Sequence, residues 1–479
     1  MTGLRLARGS VFVLAALGAV ACATTVPAAE TLPPLQALTP RQAAFLDTLE
    51  RRTFSWFWER SDSRSGLTPD RWPTPSFSSV AAIGFALTAY PVGVERGYVT
   101  RAQAAQRALN TLRYMYNAPQ SADAVNVTGY HGFFYHFLDM ETGFRFKQVE
   151  LSTIDSSLLL AGALFCQSYF TRANSTESAI RAYADSLYRR TDWQWIRPRA
   201  PLVNMGWRPE SGFIVSDWHG LNEGMILYIL ALGSPTHPID SSAWTAWTAT
   251  YNWAEFYGKQ QLNFAPLFGH QYSEIWIDYR GIQDAFMRGK GIDYFENSRR
   301  STYSQRAYAI ANPGGWRDYG PNIWGLTAGD GAADTTLIID GRPRLFFTYT
   351  ARGAAAGEIR DDGTLGPTAA GGSVAFAPEI AVPALVAMRE KYGESLFGQY
   401  GFLDSFNPTW PTDVKPKYGH IASGIGWIAD DYLGIDQGPI VAMIENYRTG
   451  LIWKTMRKNP YIVAGLKRAG FTGGWLGRK

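Results

Sequence analysis

Residues 150–166, ELSTIDSSLLLAGALFC, followed by residues 175–190, STESAIRAYADSLYRR, decide the fold. From position 154 to 166 the first stretch is apolar nearly all round, which describes a helix buried on every side. The second keeps its apolar residues at three- and four-residue steps with a charged face between them, which describes a half-exposed helix. The same alternation recurs along the chain. Residues 41–60 and 100–116 read as amphipathic, whereas residues 80–90, 225–232, 380–388 and 439–444 lack a polar face. Alternating buried and half-buried helices fit two concentric layers, an inner ring and an outer one. Residues 133–146 and 342–349 add short strands. The long connections 118–128, 314–335, 353–373 and 406–423 hold aromatics and paired charges, so they read as functional loops.

Composition bounds what such a body does. Of 479 residues, 46% are hydrophobic and only 18% charged, and the net charge is +4 with no Lys/Arg block, which argues against a nucleic-acid partner. The aromatic load is high, with 17 Trp, 25 Tyr and 26 Phe, enough to pack a core and also line a groove. Residues 1–29 read as an export signal: Arg5 and Arg8 precede the apolar residues 11–20, a run too short to span a membrane. Two outcomes stay open, soluble secretion and a lipoprotein acylated at Cys22, which follows Ala19-Val20-Ala21. Residues 30–39 form a spacer and residues 40–479 a single domain. Cys166 is then the one thiol of the folded part, a small buried hydrophobe without a disulfide partner.

Acids cluster at the starts of the apolar helices: Asp155, Glu223, Glu379, the pair Asp430 and Asp431, and Glu274 ahead of the aromatic segment 275–279. Each one alone is accounted for as a helix cap. In a ring of parallel inner helices, however, all these starts meet at one rim, and capping does not require convergence. Hydrolysis of a glycosidic bond does require two opposed carboxylates. Trp207, Trp218, Trp276 and Trp324 suit sugar faces, and Arg71, Arg280, His131 and His219 suit hydroxyl groups. No HExxH, EF-hand loop, phosphate-binding glycine loop or GxSxG elbow is present, so neither metal nor other cofactor is expected.

These residues lie in blocks that resemble the bacterial glycoamylase-like proteins, including the endo-β-1,2-glucanases of glycoside hydrolase family 144. The blocks include GYHGFFYHFLDMETGFR (129–145), ELSTIDSSLLLAG (150–162), HGLNEGMILYILALGSPTHPI (219–239), NIWGLTAGDG (322–331) and DYLGIDQGPIVAMIENYRTGLIW (431–453). The resemblance implies an (α/α)6 toroid acting on β-1,2-glucan without cofactor, endo-acting and inverting. It places Asp139, Glu141, Asp155, Glu223 and one of Asp430 and Asp431 at the cleft. On this reading Glu223 is the acid and Asp431 or Asp155 the base. A transglycosylase, an exo-acting sophorose-releasing enzyme and a non-catalytic glucan-binding lipoprotein are the alternatives. The sequence leaves the oligomeric state open.

Overall fold

The computed structural model describes residues 32–33 and 37–477; the expected export signal and Cys22 lie outside the described residues. Two units separate, Met1–Pro33 and Pro34–Lys479, and the second holds the architecture. Its helices are α1 (Pro40–Arg60), α2 (Val80–Glu95), α3 (Arg101–Asn117), α4 (Thr153–Tyr169), α5 (Ser175–Arg189), α6 (Met225–Gly233), α7 (Ser242–Thr248) and α8 (Phe268–Trp276). Then follow α9 (Ala285–Lys290), α10 (Tyr294–Ala311), α11 (Pro367–Gly371), α12 (Pro378–Leu396), α13 (Gly434–Arg448), α14 (Leu451–Met456) and α15 (Pro460–Arg468).

The buried helices α2, α4, α6, α8, α11 and α13 neighbour one another in a closed inner ring, and α1, α3, α5, α10 and α12 pack outside it. This is the expected (α/α)6 toroid. Helix α4 is buried from Ser156 through Cys166, while α5 buries Glu177, Ile180, Ala184, Leu187 and Tyr188. Among the described residues no helix is long and apolar enough to cross a membrane.

Glycine lets two ring helices meet backbone to backbone. A Cβ on Gly84 of α2 would lie 2.3 Å from the Leu158 carbonyl oxygen of α4, and one on Gly162 would lie 2.2 Å from the Gly84 carbonyl oxygen. The Cys166 thiol donates across the same interface to the Leu87 carbonyl at 3.1 Å, and its burial pushes the thiol pKa up.

Two helix assignments differ from the sequence expectation. Residues 380–388 belong to α12, an outer helix whose polar face comes from Arg389, Glu390 and Glu394 further along, beyond the apolar stretch. The inner position goes instead to α11, in a segment that reads as a loop. Helix α8 begins at Phe268 rather than near residue 274; no side chain caps its start, so the sequence carries no capping signal there. The expected strands are present at Phe133–Tyr135, Phe137–Leu138 and Arg342–Phe346. The strands Gly129–Tyr130, Phe133–Tyr135, Leu151–Ser152, Gly206–Arg208 and Gly212–Phe213 form one antiparallel sheet at the start of α4.

Because backbone blocks any relaxation at the α2–α4 contact, Gly84→Ala and Gly162→Ala each destabilise the fold by about 3 kcal/mol, the upper end for overpacking. Chemical denaturation measures this, and a change within ~0.5 kcal/mol contradicts the close contact.

Candidate active site

The inner-helix starts bring acids together as two walls. On the first wall, Ser152 caps α4 by accepting from the Asp155 N–H at 3.2 Å, and its hydroxyl donates back to the Asp155 carboxylate. Glu223 sits in the turn ahead of α6. Its carbonyl accepts from Ser273 Oγ at 3.0 Å, and its neighbour Gly224 packs under the Trp218 ring. Trp218 is itself fixed by its indole N–H, which donates to Thr153 Oγ1 at 2.9 Å. Glu223 Oε2 is buried with no hydrogen-bond partner. Burial, and then the like charge of Asp155, push the Glu223 carboxyl up to about 7.

The second wall carries Asp70, Arg71, Asp330, Asp404, Asp431 and Asp436. Arg71 pairs with Asp330 at 2.9 Å, with Asp70 at 3.2 Å and with Asp431 at 3.8 Å. Asp431 Oδ1 accepts from the Thr74 N–H at 2.8 Å. Asp404 Oδ2 accepts from the Asp330 N–H at 2.7 Å and from Ser405 Oγ at 2.8 Å, while its Oδ1 is buried without a partner. Burial, and then the like charge of Asp404, push the carboxyl of Asp436, in the first turn of α13, well above the usual carboxylate range. Burial and Asp404 also raise Asp330 to about 7, against the pull of Arg71. Gly329 is what lets this wall close, since a Cβ there would meet Ser405 Oγ at 2.4 Å.

Tyr272 of α8 stands between the walls, within electrostatic range of Asp436 on one side and of Glu223 and Asp155 on the other. Tyr349 faces Asp436, Asp404, Asp70 and Asp330, yet 52% of its surface is open, so a ring is presented beside the acids. Dense walls around an open ring account for both observations. The buried Arg352 guanidinium fixes both flanks. It donates to the Gly329 carbonyl at 2.9 Å and the Thr348 carbonyl at 3.1 Å while holding Asp362 in a two-pronged pair at 2.7 and 2.9 Å.

Of the residues singled out in the sequence, the structure brings together Glu223, Asp155, Asp431 and Arg71, with Trp218 against them. Others it places elsewhere. Register pairs Trp207 with Leu151 and Phe213, which puts it on the sheet face opposite Arg208 and Glu150. There it packs with Tyr130 and Trp195, and His131 stacks on Trp195 at 4.3 Å. Asp139 caps its own turn, accepting from the Glu141 and Thr142 N–H groups, and leaves Glu141 exposed. His219 is exposed against the Asp217 carbonyl, and Asp430 is half-exposed in a 2.7 Å pair with His420.

Four expectations are corrected by the true helix bounds. Glu274 lies late in α8 and points outward, accepting from Ser298 Oγ of α10. Trp276, in the last position of α8, is fully buried, stacked on Phe85 and bonded to Thr88. Arg280, beyond that helix, pairs with Asp278 and covers Trp453. Glu379 opens an outer helix and is bound by Arg299 and Tyr303 near Tyr447, late in α13. Trp324 is fully buried and offers no face. Sequence reasoning misses Asp70, His136, Glu150, Tyr272, Asp330, Tyr349 and Asp404. Asp436, three positions before the apolar run 439–444, is readable as one more acid at that helix start.

Fold and rim together define a class of protein, the (α/α)6 proteins with a carboxylate-lined cleft. The glycoamylase family model matches residues 215–460. A glucoamylase-type protein of Bacteroides uniformis is 33% identical, covers 92% of this chain and 100% of its own, and superposes with a TM-score of 0.76. The chain belongs to this glycoamylase-like family. An endo-β-1,2-glucanase of Chitinophaga pinensis, solved with sophorotriose and glucose, is 29% identical over 92% of this chain and 100% of its own, with a TM-score of 0.76. An exo-β-1,2-glucooligosaccharide sophorohydrolase (non-reducing end) of Parabacteroides distasonis is 27% identical over 452 residues, 88% of this chain. The chain spans 57% of that relative's length.

Removing the buried cation between these loops leaves Asp362 unpaired. Arg352→Met lowers stability by about 3–5 kcal/mol in denaturant titrations; a loss under ~1 kcal/mol contradicts the clamp.

Proposed function

We propose that the protein is a glycoside hydrolase that cleaves β-1,2-glucan within the chain by direct displacement, inverting the anomeric centre. The observation that carries this reading is Glu223, a buried carboxyl with a free oxygen that keeps its proton to about pH 7, with Tyr272 between it and Asp436 of the second wall. Its relatives' names supply the substrate class: one is an endo-β-1,2-glucanase and one releases sophorose from β-1,2-glucooligosaccharides.

In the reaction, Glu223 gives its proton to the leaving glycosidic oxygen while a carboxylate on the opposite face takes one from water. Inversion needs these groups about 6.5–9.5 Å apart, so that a water fits between carboxylate and sugar. Asp155 shares a wall with Glu223 and acts on that acid's proton rather than on the water. Asp431 is the base of this account, oriented by Thr74 and Arg71; Asp404, on the same wall beside Asp436, is the second candidate. Tyr349 gives a sugar ring a face to stack on.

A second reading, exo action with release of sophorose, has the Parabacteroides relative in its favour. Timed product analysis on linear β-1,2-glucan separates the two: a ladder of lengths for endo cleavage, sophorose alone for exo. Longer products signal transfer, and binding without cleavage signals a carrier. Export through residues 1–29, with acylation at Cys22, is part of the proposal and rests on Arg5, Arg8 and the apolar residues 11–20. Fatty-acid labelling that is lost in Cys22→Ala supports the anchor, and labelling that persists rejects it.

Glu223→Gln keeps the shape and removes the proton, so the rate falls on the order of 100-fold or more. An acid with its pKa at about 7 must be protonated to act, so the wild-type rate declines as pH rises through 7. Near-normal rates in Glu223→Gln, or a flat profile to pH 9, reject the assignment.

A further inference from the structure

Beside Asp155 stands a histidine that the mechanism above does not use. His136 is pinned by its backbone: its N–H donates to the Glu150 carbonyl at 2.9 Å, and its carbonyl accepts from the Val80 N–H, at the start of α2, at 3.2 Å. Its own contacts then hold the ring between two carboxylates. Nδ1 lies 2.8 Å from Glu150 Oε1, Nε2 lies 3.5 Å from Asp155 Oδ1, and the ring stacks on Phe137 at 3.9 Å. The charged groups around it are Glu150 on the approach to α4, Asp155 in α4, Asp70 on the opposite wall and, behind Glu150, Arg208 at 3.4 Å. An imidazole with a carboxylate at each nitrogen carries both protons.

We infer that His136 is a positioning residue that keeps Asp155 ionised, so that the charge of Asp155 holds the proton on Glu223. This rests on the reading of Glu223 as the acid. Of two neighbouring carboxyls, the one whose anion is better stabilised ionises first, and its charge then disfavours ionisation of the other. Asp155 has the imidazolium and the Ser152 hydroxyl; Glu223 Oε2 has no hydrogen-bond partner. So Asp155 ionises first and Glu223 keeps its proton. Burial raises Asp155 and His136 opposes that shift, while Asp155 and Glu150 hold His136 itself at about 9. The ring thus stays charged over the working range. Without that charge Asp155 keeps a proton, and Glu223, no longer beside an anion, ionises at lower pH.

The test is the pH–rate profile on linear β-1,2-glucan for the full-length wild type, His136→Gln, Asp155→Asn and the double variant. In His136→Gln the alkaline limb moves about one unit toward acid, so the rate at pH 8 drops about tenfold, and activity returns at lower pH. Asp155→Asn also moves the limb toward acid. In that background His136→Gln moves it no further, because the histidine acts through Asp155. A limb that stays in place while the rate falls equally at every pH makes His136 merely structural and overturns the inference. So does a limb that moves toward alkali, which is what a cation acting directly on Glu223 would give. If His136→Gln does not fold, by near-ultraviolet circular dichroism, Glu150→Gln loosens the same imidazolium from its other side. Its limb moves toward acid, or the inference fails. Failure of the Glu223 reading looks different: Glu223→Gln retains activity and the wild type has no limb near pH 7.

Discussion

Carboxyl groups crowded on one rim of a ring of parallel helices repel one another, and the arrangement of the rim follows from how that repulsion is relieved. Arg71 draws in Asp70, Asp330 and Asp431 on one wall; His136 draws in Glu150 and Asp155 on the other. Where no cation reaches, proton affinity rises instead: burial and Asp404 push the Asp436 carboxyl well above the usual range, and burial and Asp155 push Glu223 up to about 7. Acid and base chemistry at neutral pH depends on this unequal sharing, because one carboxyl must stay protonated while another is ionised.

The scaffold supports that electrostatics from a distance. Gly84 and Gly162 let α2 and α4 approach until backbone meets backbone, which fixes the Ser79 and Ser152 caps beside each other at the rim. Arg352 fixes the loops carrying Asp330 and Tyr349 in the same way, by donating to their carbonyl groups. Most of the aromatic residues serve packing. Trp276 fills the space between α8 and α2, and Trp207 joins a half-buried layer with Tyr130, Trp195 and Phe213.

The toroid was legible because its signal is local: a helix with no polar face has to be inside, and residues 154–166 and 225–232 say so without help. Asp155 was legible for the same reason, since its cap lies three residues away at Ser152. Helix α8 was misplaced because no side chain caps its start, and Glu274 and Trp276 then seemed to open a helix they close. Helix α12 misled because its polar face is supplied by Arg389, Glu390 and Glu394, past the apolar run. His136 could not be found at all from spacing. Its meaning comes from Glu150, Asp155 and Asp70, which strand pairing and the α2 start bring to it from separate stretches. Asp330, inside the long connection 314–335, and Asp404, in the short link between strands Gly401–Phe402 and Phe406–Asn407, are hidden in the same way.

The central claim is that Glu223 holds a proton near neutrality while the acids around it divide the remaining charge. Carbon-13 NMR of protein labelled at the glutamate side-chain carboxyls, with Glu223→Gln to identify the signal, reads this directly and without substrate. The account predicts one carboxyl resonance, absent in Glu223→Gln, that titrates with a midpoint at about pH 7. A Glu223 resonance that titrates at about 4.5, the ordinary glutamate value, would contradict it.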